Sequence, residues 1–313
     1  MPKHCNDGDV IAHIGFPKTG TTSLQDELNR YPRYLGKHPE LDSAVIHTFR
    51  RDLGVLSGWH FRKRWRRAHR ARHQLRCVGS GAIISDEDLS LRGPALAGGA
   101  HFISAPFVKR SGRIAERIQE MPVLMALRRG DGMFSRVGRV LVTIRRQWDW
   151  LPSLYAERSK RNIFAGQRDF EARVQHFLKH DAWYLEYDRW LFEFERCLGE
   201  SNVLILPVEA MWTPDYCRAL AEFLNLDPRI MASGVAERRN AFNALSSSRG
   251  GWLLRPIMPY RLRHRWRSSD ADRRNSETIF MPQWLVAMVR ERYESSNRKL
   301  KARCHFSLEH YGY

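Results

Sequence analysis

The chain has 313 residues, 43% of them hydrophobic, with a formal net charge of +18. That supply of apolar residues suffices for a buried core, and α/β domains of this length are common, so one domain over residues 1–313 is expected. No apolar run reaches the roughly 18 residues of a membrane span, and the segment from Met1 to Asp7 lacks the apolar stretch of a signal peptide.

In chain order, Val10–Gly15 reads as a strand, followed by a tight loop and a helix over 21–31 with Leu24, Leu28 and Tyr31 on one stripe. A short strand is predicted at 34–36 and a basic helical insertion at about 50–78. Residues 81–85 form a short buried strand, and 114–127 carry helical periodicity. A strand over 139–144 leads to a helix through 153–157, and helices follow at 169–180 and 183–198, the latter with Tyr187, Leu191 and Phe194 inward. Val203–Pro207 is a strand, and Thr213, Pro214 and Asp215 make a helix start, with a capping hydroxyl, a first-position proline and an early acid. That helix ends near Leu226; residues 244–251 are loop-like, a basic segment occupies about 255–275, and 282–300 is a long amphipathic helix. Strands alternating with helices predict an α/β, three-layer, P-loop-like fold: a central, mostly parallel sheet flanked by helices.

The stretch Gly15 to Ser23 has the chemistry of a phosphate cradle. Gly15 and Gly20 flank a four-residue insert, as in the nucleotide loop G-x-x-x-x-G-K-[ST]. Thr21, however, stands where that motif has lysine, and the lysine lies inside the loop as Lys18. Gly20 permits a backbone closed to other residues, so successive amides can face one anion. The helix start adds unpaired N–H donors and partial positive charge, and Thr21, Thr22 and Ser23 add hydroxyls. A magnesium-dependent loop also requires an acid at the end of an apolar strand. The strand over 139–144 ends in Arg145 and Arg146, and Val203–Pro207 leads only to Glu209. No metal is therefore expected.

These residues resemble the sulfotransferases that use 3′-phosphoadenosine 5′-phosphosulfate (PAPS), most closely the bacterial, carbohydrate-type members. Phe16, Pro17, Lys18, Thr19, Gly20, Thr21 and Thr22 match the family's PK(T/S)GTT core, which with Ser23 is implied to hold the 5′-phosphosulfate. The resemblance implies a second grip, on the 3′-phosphate, from Arg145 after a strand and Ser153 eight residues on at a helix start; Gln147 replaces the usual proline. It continues through Leu206–Glu209, Glu222–Leu226, Arg238–Asn240 and the closing Ser296, Asn297 and Tyr311–Tyr313. The implied co-substrate is PAPS, with PAP as the product.

Sulfuryl transfer requires a base for the acceptor hydroxyl and a charge for the leaving phosphate. Lys18 fits the second task. Glu87, in a family-like Ser-x-Glu after the strand at 81–85, is the favoured base; Asp86 and Asp88 compete with it, and Glu87 also fits as a helix-start acid capped by Ser85. His47, His60 and His101 are alternative bases without a motif, whereas His13 reads as a satisfied core histidine. Trp148 and Trp150 are either adenine platforms or packing residues, and Arg238, Arg239 and Asn240 either close over the nucleotide or form a solvated turn.

The basic excess concentrates at 62–76 and 261–267, where arginine interleaves with tryptophan. That pattern fits a solvated helix face or an interfacial surface making peripheral membrane contact. No compact nucleic-acid reader is visible, so nucleic acid is not expected as a partner. The expected acceptor is a carbohydrate or glycolipid. Cys5, Cys77, Cys197, Cys217 and Cys304 are scattered and odd in number, favouring a reducing cytoplasm and neither disulfide framework nor metal cluster. Two other classes remain open: a P-loop kinase or NTPase using ATP and magnesium, and a non-catalytic binding protein with a basic surface.

Overall fold

A computed structural model of the chain describes residues 10–16, 18–28, 31, 82–85, 124, 127–128, 137–159, 162, 164–226, 251–254, 277–304 and 306–313. Four strands form one parallel sheet: β1 (Val10–Gly15), β2 (Ile83–Ser85), β3 (Val137–Ile144) and β4 (Val203–Pro207), in the order β2-β1-β3-β4. Every residue of β1 and β4 is buried, and β3 departs only at Arg139. Successive strand side chains point to opposite faces, so burial at every position means that both faces are covered. The expected α/β class, a parallel sheet flanked by helices, is the one observed.

The described helices are α1 (Thr21–Leu28), α2 (Gln147–Arg158), α3 (Gln167–His180), α4 (Tyr187–Leu198), α5 (Pro214–Leu224) and α6 (Gln283–Lys301). The stripe predicted for a helix over 21–31 is buried at Leu24 and Leu28 within α1 and at Tyr31 beyond it. α5 begins as its sequence demands: the Thr213 hydroxyl accepts from the Tyr216 amide at 3.3 Å, Pro214 opens the first turn, and Asn225 closes the helix in the left-handed region at φ 53°. α6 packs on α4 and α2 and buries Leu285, Val289, Tyr293 and Leu300.

Two expectations need correction, and one feature was not foreseen. The helix predicted over 183–198 is broken at Glu186 (φ −80°, ψ 76°) into a 3₁₀ turn, Ala182–Leu185, and α4. The Glu186 carboxylate takes Arg189 of its own helix at 2.5 Å and Arg292 of α6 at 2.6 Å, and buried charges persist where they are paired in this way. Ser153 does not start a helix, because α2 already runs from Gln147 and places it in the second turn. A short antiparallel pair, β5 (Trp252–Leu253) with β6 (Thr278–Ile279), had no counterpart in the sequence reading.

The predicted strand at 34–36, the helical pattern at 114–123, the loop at 244–250 and both basic segments lie outside the described residues. No helix among the described residues is long and apolar enough to cross a membrane.

Candidate anion-binding site

The loop after β1 is anchored by its first residue. Phe16 is buried edge-on against Tyr184, Tyr187 and Trp190, with ring centroids 5.3, 5.4 and 5.5 Å away, the geometry that aromatic quadrupoles favour. The Phe16 carbonyl accepts from both the Thr19 hydroxyl at 2.6 Å and the Thr19 amide at 3.2 Å, which folds residues 16–19 into a tight turn. Lys18 sits at the tip with φ 66°, a left-handed conformation costing a side-chain-bearing residue roughly 1–2 kcal/mol.

Gly20 follows at φ 74°; a Cβ there would stand 2.6 Å from Met211 Cε and 2.7 Å from Val208 Cγ2. Gly15 is held as closely, since a Cβ on it would lie 1.8 Å from Thr21 Cγ2. Both glycines are therefore required, one by conformation and space and the other by space alone. The loop delivers the chain into α1, whose first turn carries Thr21 (buried) with Thr22 and Ser23 (half-buried). A helix's first amides have no upstream carbonyl within the helix, so this end favours an anion.

β3 delivers the second group. Arg145 follows its last residue, and Arg145 Nη1 donates to the Ser153 hydroxyl and to the Lys18 carbonyl, each at 3.2 Å. The predicted pair Arg145 and Ser153 is thus brought together, and brought against the loop. Arg145 Nε and Nη2 make no hydrogen bond among the described residues. The Tyr187 hydroxyl fixes the Arg145 carbonyl at 2.8 Å, and the Glu209 carboxylate fixes the Arg146 amide at 2.9 Å. Glu209 also accepts from the Tyr313 hydroxyl at 2.8 Å, and Arg146 Nη1 donates to the Tyr311 carbonyl at 3.3 Å. Burial raises the Glu209 carboxyl above the ordinary carboxylate range, against the opposing pull of the Arg146 amide and Tyr313. Glu209, considered as a metal acid from sequence, here spends its oxygens on the protein's own donors.

Lys18 Nζ lies 3.6 Å from the carboxylate of Glu157 on α2. Sequence reasoning missed Glu157, although it stands one helical turn beyond Ser153, the spacing at which two side chains share a helix face. Tyr187 was read only as an inward-facing helix residue and Thr143 only as part of a strand, with no role at the site. His13 is a core histidine as expected: it is fully buried, with Nδ1 2.7 Å from Ser85 Oγ and Nε2 3.4 Å from Thr143 Oγ1. Burial alone pushes its imidazole down to about 3. Trp150 is fully buried beside Phe177 and Tyr184, and Trp148 is buried beneath the guanidinium groups of Arg146 and Arg290, so both serve packing.

Pro17, Glu87, Asp86, Asp88, His47, His60, His101 and Arg238–Asn240 lie outside the described residues. Among those that are described, Arg145 meets Ser153 and the Lys18 carbonyl at the C-terminal ends of β1 and β3. Residues 18–23 continue from there into the first turn of α1, with the Thr19 hydroxyl turned inward to the Phe16 carbonyl and Thr143. A guanidinium, a serine hydroxyl, a loop lysine and a helix start are groups that suit an anion, with the Glu157 carboxylate facing the lysine.

No protein-family model and no curated protein matches the chain. Among solved structures it is similar to a sulfotransferase from Alicyclobacillus acidocaldarius, at 12% identity and a TM-score of 0.39, over 78% of this chain and 91% of that one.

Proposed function

We propose that the protein is a PAPS-dependent sulfotransferase that moves the sulfuryl group to a hydroxyl or amine of a carbohydrate or glycolipid acceptor. One observation carries this reading: the Arg145 guanidinium joins Ser153 to the Lys18 carbonyl, so two separate phosphate-type grips meet at one corner. The donor set fits a nucleotide with two separate anionic groups. Pro17 to Ser23 would hold its 5′-phosphosulfate, and Arg145 with Ser153 its 3′-phosphate, through a guanidinium fork and a hydroxyl. PAPS supplies an activated sulfuryl group on a phosphate that leaves readily.

The chain's own residues account for the remaining steps. Glu87 takes the acceptor's proton as the new S–O bond forms, and the Lys18 ammonium balances the charge that grows on the departing phosphate oxygen. The acceptor class rests on the resemblance of the motifs to carbohydrate-type enzymes and on the Trp/Arg segments at 62–76 and 261–267, which would also hold the protein against an anionic membrane surface. A cytoplasmic setting, at the inner membrane face, follows from the scattered cysteines and the same segments.

The deciding experiment is thermal unfolding with candidate ligands. A ligand that binds only the folded protein stabilises it by about 2.7 kcal/mol at 100 times its dissociation constant. PAP should raise the unfolding temperature at micromolar concentration. Stabilisation by ATP with magnesium and none by PAP would assign the loop to phosphoryl transfer instead.

A further inference from the structure

A single-file chain of buried polar groups crosses the sheet beneath the loop. Gln25 Nε2 lies 2.8 Å from Ser85 Oγ, and Ser85 Oγ lies 2.7 Å from His13 Nδ1. On the other side of the ring, His13 Nε2 lies 3.4 Å from Thr143 Oγ1, which lies 2.9 Å from Thr19 Oγ1. Ser85, His13 and Thr143 come from β2, β1 and β3, and all five residues are buried. Adjacent strands are about 4.8 Å apart, so hydroxyls on β2 and β3 are separated by about two strand spacings and cannot meet. Imidazole, with a nitrogen on each side, spans the strand between them.

The direction of the chain follows from its end. The Phe16 carbonyl can only accept, so the Thr19 proton points to it at 2.6 Å. Thr19 Oγ1 then accepts from the Thr143 hydroxyl, and Thr143 in turn accepts from His13 Nε2–H. A neutral imidazole with its proton on Nε2 leaves Nδ1 as an acceptor. Ser85 donates to Nδ1, and Gln25 donates to Ser85. Each hydroxyl gives one proton and receives one, without a conflict anywhere along the row.

We propose that His13, as its neutral Nε2–H tautomer, is a positioning residue that holds the turn bearing Lys18 in register with the end of β2. Its importance for donor binding rests on the sulfotransferase reading; its importance for loop shape does not. Ser85 immediately precedes Asp86 and Glu87, so the same row ties the loop's Thr19 to the strand end from which the favoured base departs.

The test uses the full-length chain with 15N-labelled histidine. At pH 7, long-range 1H–15N correlation should give His13 a pyrrole-type Nε2 and a pyridine-type Nδ1. A proton on Nδ1, or a doubly protonated ring, overturns the proposal whether or not any nucleotide binds. His13→Phe keeps a ring but removes both nitrogens, and His13→Gln restores one donor and one acceptor. His13→Phe should speed hydrogen exchange of the Lys18 to Thr21 amides at least tenfold and weaken PAP binding by a similar factor. His13→Gln should recover most of both. Should His13→Phe fail to fold, Thr143→Val breaks the row one step nearer the loop and carries the same expectations. Unchanged exchange and unchanged PAP affinity in a folded variant overturn the proposal. Wild-type protein that binds no PAP refutes the sulfotransferase reading, and the tautomer and exchange results then still decide the role of His13.

Discussion

Glu157 holds the Lys18 ammonium at 3.6 Å, one helical turn beyond Ser153 on α2. The lysine proposed for the leaving phosphate therefore rests against a carboxylate, and in the proposed reaction donor binding competes with that pairing. Partly exposed ion pairs contribute about 0.2–1 kcal/mol, which converts to a factor of about 1.4–5 in affinity. Glu157→Gln is expected to tighten PAP binding by that factor in titration calorimetry. Weaker binding in the variant would show that Glu157 assists the nucleotide.

Lys18→Ala should lower turnover by about 100-fold while changing PAPS affinity far less, because its partner charge develops in the transition state; PAP, on which that charge is fully formed, should lose affinity as well. Comparing kcat with the directly measured dissociation constant of PAPS separates the two effects. Equal losses in both would make Lys18 a ground-state binding residue.

Arg145→Ala should act in the opposite sense. A hydrogen bond to a charged group contributes about 1.5–3 kcal/mol, so PAP affinity should fall by about 10- to 100-fold with kcat at saturating donor little altered. Arg145→Lys should not restore binding, since an ammonium cannot reach Ser153, the Lys18 carbonyl and a phosphate together.

Gln147 occupies the first position of α2, where proline is favoured because that amide needs no helical partner. Here its side chain instead exchanges hydrogen bonds with Asn297 of α6, Nε2 to Oδ1 at 2.8 Å and Nδ2 to Oε1 at 3.3 Å. Gln147→Pro suits the backbone but strands a buried amide, so it should destabilise the fold by about 1–3 kcal/mol in urea denaturation. Asn297→Leu introduced into that variant should recover part of the loss.

Stability should fall in mild acid through His13. Its folded-state value of about 3 lies below the ordinary histidine value of 6.5, so the unfolded chain binds the extra proton first as pH drops. The contribution is fully present above pH 6.5 and is lost between there and pH 3, at about 1.4 kcal/mol per pH unit. Chemical denaturation of the wild type and His13→Gln from pH 7 to pH 5 checks this; the variant's slope should be shallower.

The sheet was legible because Val10–Gly15 and Val203–Pro207 are apolar runs bounded by glycine and polar residues, and burial on both faces requires such runs. The loop was legible from its glycine spacing, and the meeting of Arg145 with Ser153 from the family resemblance of the segment that holds them. The break at Glu186 was not, because apolar periodicity runs on through Tyr184, Tyr187 and Leu191, and the arginine that helps hold the break, Arg292, is 106 residues distant. Ser153 was misplaced at a helix start because α2 begins at Gln147 and carries Pro152 within it. β5 and β6, two residues each, are too short to show a period. His13 was placed in the core by its strand, but its partners Ser85 and Thr143 lie 72 and 130 residues away, and only the sheet order brings them together.

The contacts of the last residues bear on how the protein is made. A nascent chain synthesised through Ser153 already contains Lys18, Arg145 and the glycine loop. The frame around Arg145 and Arg146, however, draws on Glu209, Asn297, Tyr311 and Tyr313. On the ribosome the cationic groups are therefore assembled early and disciplined late, once α6 and the residues beyond it have docked. In the proposed reading, a chain cut before Tyr311 should gain little stabilisation from PAP, because it lacks the contacts of Tyr311 and Tyr313 to Arg146 and Glu209.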